Sequence, residues 1–258
     1  MTVAASPERP PTRRTDVVAR LGHFAIVTWA VDPARVRPHV DERYALDVYP
    51  GPGGAPRVWV SAVPFEDQDF RVLAAPWARF RMGQTNYRTY VIDRETGERA
   101  VWFWGTTLGH WTVAVPHLAW RLPWHHGRVA FDCAWDEEAG RYARYRMRTR
   151  SRWAPAALDV VDTGEPVRAV EGWPDLEDGL LALTHPLTGF YRRRDGVLGT
   201  YSIWHDRLRP TVGTLRSARF GLFDRLGVVP YAEQARPHSV LVQRSTEFTV
   251  YLPPRRVG

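Results

Sequence analysis

The sequence predicts an α+β, mainly β fold: antiparallel strands in a single domain, with a few short helices. Three observations carry that expectation. Apolar and polar residues alternate with period two in most segments lying between Gly, Pro and Asp turns. Two pairs of such segments are joined by short turn sequences, as hairpins require. Helical periodicity surfaces only in a few short stretches, two of them interrupted by proline. No Gly-rich loop follows a strand, which argues against a dinucleotide-binding fold.

HFAIVTWAV, 23–31, reads as a strand, and Asp32 with Pro33 behind it reads as a helix start. ALDVYPG, 45–51, and RVWVSAVPF, 57–65, read as strands around a Gly/Pro turn. Residues 80–93 and 99–107 form the clearest hairpin, turning through Glu95, Thr96 and Gly97. HWTVAVPHLAWRLPW, 110–124, has helical spacing broken by Pro116 and Pro123. RVAFDCAWD and RYARYRMRTRSRW form a second hairpin across Glu137–Gly140. PDLEDGLLALTHPLTGFYRRR is helical up to Pro186, and DGVLGTYSIWHDRL is a turn and strand. LRSARFGLFDRLGV, 215–228, is the best amphipathic helix, burying Leu215, Phe220, Leu222, Phe223 and Leu226. SVLVQRSTEFTVYLP, 239–253, closes the pattern as one or two strands. The Pro/Arg-rich residues 1–18 are expected to be a flexible arm, and 19–258 the domain.

At 258 residues and 44% hydrophobic, with twelve Trp, ten Tyr and ten Phe, the chain can fill an unusually aromatic interior. No window approaches the roughly 18 apolar residues of a membrane span, and the N-terminus lacks the apolar core of a secretory signal. Cys133 is the single cysteine, so an intrachain disulfide and a cysteine-based zinc site are excluded. A cytoplasmic location is expected. All 35 basic residues are arginine, and there is no lysine. No side chain of this chain can therefore form an imine with a substrate carbonyl. The net charge of +7 favours anionic partners without naming them.

The stretch GQTNYRTYV, 83–91, is unusual for a core strand. If extended, it puts Gln84, Asn86, Arg88 and Tyr90 on one face and Thr85, Tyr87, Thr89 and Val91 on the other. The polar row is either the wet side of a sheet or the lining of a site. A second periodic feature is the comb Arg144, Arg146, Arg148, Arg150 and Arg152, whose charges repeat roughly every 6.6 Å on a strand. It reads as a solvated face or as a contact for an acidic protein partner; without a recognised motif, nucleic acid is the weaker reading. His110, His117, His125 and His126 cluster in sequence, but no neighbouring acidic set completes a metal site, so no metal and no cofactor are expected.

NYRTYV followed by ETGERAVWFWGTT resembles the core of the YqjF-like proteins, an uncharacterised family (domain of unknown function 2071). TWAVDPARVRPHV, RVWVSAVPF, the turn at Leu122–Trp124 and the strand around Trp204 and His205 extend the resemblance over most of 22–253. This family resembles the acetoacetate decarboxylase-like superfamily. That implies a strongly curved antiparallel sheet closing into a barrel or cone around a pocket. In the decarboxylases a lysine after a Pro-containing turn forms a Schiff base; the matching place here is Trp124. The family's acidic residue falls nearest Gln84 and its arginine near His117.

The resulting expectation is a small-molecule enzyme using noncovalent acid/base chemistry on a carboxylated or carbonyl-containing metabolite. Dehydration, cyclisation or another lyase or isomerase step would suit it, as would a place in secondary metabolism. Arg88, Tyr90 and His117 are the catalytic candidates; Gln84, Asn86, Trp104, Trp124 and His205 are the substrate-binding ones. A binding protein without turnover is the alternative, and self-association into a homo-oligomer is left open.

Overall fold

The alternation read along 80–107 becomes one wall of a closed barrel. The computed structural model describes residues 9–257. In chain order the elements are β1 (Val17–Val31), α1 (Pro33–Val36), β2 (Tyr44–Leu46), β3 (Tyr49–Pro50), β4 (Pro56–Val72), β5 (Phe80–Asp93) and β6 (Arg99–Leu108). Then come α2 (Ala114–Ala119), β7 (Trp124–His126), β8 (Arg128–Asp136), β9 (Arg141–Arg150), β10 (Ala156–Pro166) and α3 (Leu176–Thr184). The chain continues through β11 (Thr188–Arg192), β12 (Leu198–Trp204), β13 (Thr211–Phe220), α4 (Gly221–Arg225) and β14 (Ser239–Arg256).

Strands β1, β4, β5, β6, β11, β12 and β14 pair in that order, and β14 pairs back to β1 over Val17↔Val250 to Thr28↔Ser239. The ring of hydrogen bonds is thereby closed, so these strands leave no free edge. β13 extends from β14 and carries β10, β9 and β8 as a second layer. The sheet is mixed rather than purely antiparallel. β6 pairs in parallel with β11 over Val101–Phe103 and with β7 over Thr106–Leu108, both along the edge that β5 leaves free.

Two apolar layers follow from the period of two. Leu21, Phe24, Ile26, Trp59, Val63, Phe65 and Phe103 fill the barrel interior, the inward parity of β1 changing at the irregularity around His23. Residues of the other parity, including Trp29 and Tyr87, share a cluster with Tyr145, Met147 and Phe220 of the second layer and Phe223 of α4, while Trp102 packs on Tyr44. The barrel wall is thus buried on both sides, which accounts for its near-continuous apolar sequence. The comb occupies the opposite face of β9: Arg144, Arg146, Arg148 and Arg150 are exposed. Arg144 is paired with Asp132 at 2.7 Å and Arg146 with Asp159 at 2.8 Å.

Several expectations need correction. The amphipathic helix over 215–228 is mostly strand: β13 runs to Phe220, and only Gly221–Arg225 is helical. Register with β10, from Ala156↔Phe220 to Val160↔Leu215, outweighs the helical spacing. The strand over 45–51 is two short pieces. The strand expected to end at Phe65 continues to Val72, which matters below. Of the arm expected over 1–18, residues 1–8 lie outside the described residues. In residues 9–16, buried Asp16 accepts from the Leu252 amide at 2.9 Å, and Tyr251 donates to the Pro10 carbonyl at 2.9 Å. Val17 and Val18 already belong to β1. Among the described residues no helix is long and apolar enough to cross a membrane.

Gly105 sits at φ 153°, and a Cβ there would lie 2.6 Å from the Pro123 carbonyl oxygen and 2.7 Å from the Trp153 ring. Only glycine lets the Leu122–Trp124 turn lie directly on β6. Gly105→Ala should therefore cost about 1–3 kcal/mol in chemical denaturation; wild-type stability would show that this contact is not tight.

Candidate active site

Inside the barrel lies a cavity of about 60 Å³, open at one side. Its apolar wall includes Phe65, Phe103, Trp124, Tyr201 and Phe248, and its polar groups include Asp67, Gln84, Asn86, Arg88 and His205. The row from 83–91 is therefore on the inner face. Gln84, Asn86 and Arg88 line the cavity, while Tyr90 lies beneath Arg88 in the interior packing.

Arg88 is 7% exposed. Its Nη2 donates to the Leu183 carbonyl at 3.1 Å and to the Tyr90 hydroxyl at 3.2 Å. Tyr90 donates to the same Leu183 carbonyl at 2.7 Å, and its oxygen lies 3.1 Å from Ser61 Oγ, itself 2.8 Å from Thr28 Oγ1. Leu183 is in the last turn of α3, where carbonyls lack helical partners and the helix dipole is negative. A helix end thus positions the guanidinium. That partial charge does not neutralise a full cation, and among the described residues no carboxylate pairs with Arg88. Its Nε has no hydrogen-bond partner in the protein. A buried, uncompensated cation facing a cavity is suited to an anion.

Asn86 Oδ1 accepts from Gln84 Nε2 and from Thr106 Oγ1, both at 2.8 Å. Both acceptor positions of that oxygen are filled, which fixes the amide orientation and leaves the Asn86 NH2 to donate elsewhere.

Asp67 was not among the sequence candidates. It lies two residues beyond Phe65 on the inward parity of β4, 4% exposed, and its Oδ2 has no hydrogen-bond partner in the protein. Burial, with a smaller contribution from the Glu66 charge, raises its pKa to about 8. His205 is also buried, and burial lowers its pKa to about 4. Its Nδ1 lies 2.8 Å from the Asp206 carbonyl, which can only accept. The ring proton is therefore on Nδ1, and Nε2 carries the lone pair.

The remaining candidates go elsewhere. His117 is outside the cavity lining; its Nδ1 is 2.7 Å from the Trp124 carbonyl, so it braces the turn from behind. Trp104 faces the second layer, donates to the His39 carbonyl at 3.0 Å and packs on Phe223. Alternation puts its neighbour Phe103 in the cavity instead. His125 stacks on Trp153 at 3.9 Å, and His110 accepts from the Thr112 amide. Among the described residues no three His, Cys, Asp or Glu side chains are grouped to hold a metal. Cys133 is partly buried, with its thiol pKa pushed up to about 12, chiefly by burial.

Residues 18–247 match the family described as "Uncharacterized conserved protein (COG2071)", domain of unknown function 2071. The chain belongs to this family. No curated protein sequence matches it. Among solved structures, it is similar to the enduracididine biosynthesis enzyme MppR with HEPES bound, at 14% identity and a TM-score of 0.58, covering 99% of this chain and 91% of that one. It is also similar to acetoacetate decarboxylase from Legionella pneumophila, at 13% identity and a TM-score of 0.56, covering 99% and 93%. An acetoacetate decarboxylase-like enzyme from Sphingomonas wittichii matches at 10% identity and a TM-score of 0.56, covering 99% of both chains. This family member thus has the acetoacetate decarboxylase-like fold. Trp124, at the place that the resemblance gives to the decarboxylase lysine, does line the cavity.

The raised pKa of Asp67 has a consequence for stability. Between about pH 4 and pH 8 the unfolded chain loses this proton while the folded protein keeps it. Folding should therefore be opposed increasingly as pH rises across that window, by about 1.4 kcal/mol per unit. Asp67→Asn, which cannot ionise, should be more stable than wild type at pH 7 and equal to it below pH 4, by urea unfolding. A difference that does not change with pH would mean that Asp67 ionises normally.

Proposed function

We propose that the protein is an enzyme that holds a small carboxylated metabolite in the barrel and transforms it by noncovalent proton transfer. The observation that carries this reading is Arg88: a buried guanidinium aimed into a cavity, with no carboxylate of its own. Its fork geometry matches a carboxylate bidentately. The Asn86 amide can donate to an adjacent carbonyl oxygen, where charge develops during enolisation or elimination. The small cavity and its aromatic wall suit a compact acid, or the acid end of a longer molecule projecting through the open side. Solved structures of MppR complexed with pyruvate and with the condensation product of pyruvate and imidazole 4-carboxaldehyde support the same class of ligand. They also support a step in secondary metabolism. Dehydration, cyclisation or another lyase or isomerase step fits a site without a lysine.

Because Arg88 has no buried carboxylate partner, removing it leaves no stranded charge, and the fold should tolerate the change. Arg88→Met should weaken binding of pyruvate, measured by calorimetric titration, by more than about tenfold, equivalent to about 1.4 kcal/mol. Near-wild-type thermal unfolding should accompany this loss. Equal binding by the two proteins would remove Arg88 as the anion site. A large loss of stability would assign it to the scaffold instead.

Borohydride reduction in the presence of pyruvate tests the chemistry directly. The peptide map should show no side-chain adduct, any modification being confined to the N-terminal amine. A reduced adduct on a side chain would contradict the noncovalent route.

A further inference from the structure

The cavity contains two titratable groups whose environments push them in opposite directions from their usual ionisation. We infer that Asp67 and His205 are its proton donor and proton acceptor, and that the substrate is a carboxylate carrying an enolisable ketone, a 2-oxo or 3-oxo acid. This deepens the preceding reading, since it uses Arg88 to hold the substrate carboxylate.

The geometry comes first. Asp67 and His205 line the same cavity, together with Arg88. Asp67 Oδ2 is buried and has no partner in the protein, so nothing in the scaffold uses its hydrogen-bonding capacity. Its neighbour Glu66, by contrast, accepts through Oε2 from Arg81 at 2.7 Å and from Gln68 at 3.0 Å. His205 is fixed by its Nδ1 bond to Asp206, by Phe248 stacked at 5.6 Å and by the edge of His185 at 4.7 Å. Those contacts leave Nε2 as the basic atom of a ring that cannot turn freely.

The protonation states agree with that geometry. At neutral pH Asp67 is a carboxylic acid and His205 a neutral imidazole. The charged groups acting on them are few. Asp67 feels Glu66, whose charge is met by Arg81 on β5 and approached by His23 on β1. His205 feels His185 and Arg88, which disfavour protonation, and Asp206, which favours it. A neutral acid and a neutral base sharing one cavity are the arrangement that general acid–base catalysis requires.

The step balances without any other reactant. His205 Nε2 takes a proton from the carbon beside the ketone, and the electron pair of that C–H bond forms the carbon–carbon double bond. The carbonyl π pair takes the Asp67 proton, giving the enol. Asp67 is left as a carboxylate and His205 as an imidazolium, and reversal restores both. The anion bound at Arg88 further favours the neutral form of Asp67, because two nearby carboxylates resist joint ionisation.

The test is hydrogen–deuterium exchange at C3 of 2-oxobutanoate in D2O, followed by proton NMR beside a calorimetric binding titration. Wild type should accelerate exchange, most strongly between about pH 4 and pH 8, where His205 is unprotonated and Asp67 protonated. Asp67→Asn and His205→Asn should bind 2-oxobutanoate within about threefold of wild type yet exchange it at least about 100-fold more slowly. A purely structural role would not separate binding from exchange in this way. Asp67→Asn keeps shape and neutrality, so it decides the matter even if the histidine variant fails to fold. Binding without exchange by wild type, or undiminished exchange by Asp67→Asn, overturns the acid–base pair and leaves the anion site standing. Failure of wild type to bind 2-oxobutanoate overturns the pair's substrate and counts against the Arg88 reading as well.

Discussion

The Leu183 carbonyl is the hinge of the site's electrostatics. It accepts from both Arg88 and Tyr90, and it belongs to the C-terminal, negative end of the α3 dipole. Three consequences follow from this one acceptor. A helix carbonyl that would otherwise lack a partner is satisfied. The guanidinium is held in a fixed position without being neutralised. Tyr90 is turned down into the interior, linked through Ser61 to Thr28 on the far side of β4, so the barrel wall and the helix share one polar network. A carboxylate at that place would have produced an internal ion pair and a site indifferent to anions.

Around that cation the remaining ionisable groups of the cavity are neutral. Asp67 keeps its proton and His205 lacks one, in each case chiefly because burial penalises the charged form. With Trp124 standing where the resemblance puts the decarboxylase lysine, the cavity has a single permanent charge and an aromatic wall. Under the reading proposed above, such an interior would hold an anion and offer it neutral hydrogen-bonding and proton-transfer groups. The fold is that of the acetoacetate decarboxylase-like proteins.

The second layer serves the barrel from outside. Phe220 of β13 and Phe223 of α4 cover the outward-facing Tyr87 and Trp29, and Tyr44 covers Trp102, so the wall carrying Gln84, Asn86 and Arg88 is packed from behind. Packing on both faces gives the inward side chains a rigid base, and it lets the thin wall tolerate polar residues on its inner side. The arginines of β9 face away from the barrel and do not line the cavity.

Much of this was legible in the sequence, because the strongest local signal, alternation with period two, is also what a barrel wall obeys. It gave most strands, both hairpins and the shared face of Gln84, Asn86, Arg88 and Tyr90. The absence of lysine likewise settled from composition alone that no side chain here forms an imine. Alternation cannot say which face is inside, so Trp104 was taken for a cavity residue when its neighbour Phe103 is one. Local pattern also misjudged 215–220, whose helical spacing yields to pairing with β10. Asp67 was missed because Pro64 and the acidic run after Phe65 look like the end of a strand. The pairing of Leu21 with Asp67, and of Asp67 with Met82, carries β4 onward and draws that carboxyl into the cavity. Sequence therefore determined the elements and the chemical inventory. Only the closed ring decided which groups lost their water, and loss of water is what shifts Asp67 and His205 and leaves Arg88 in need of an anion.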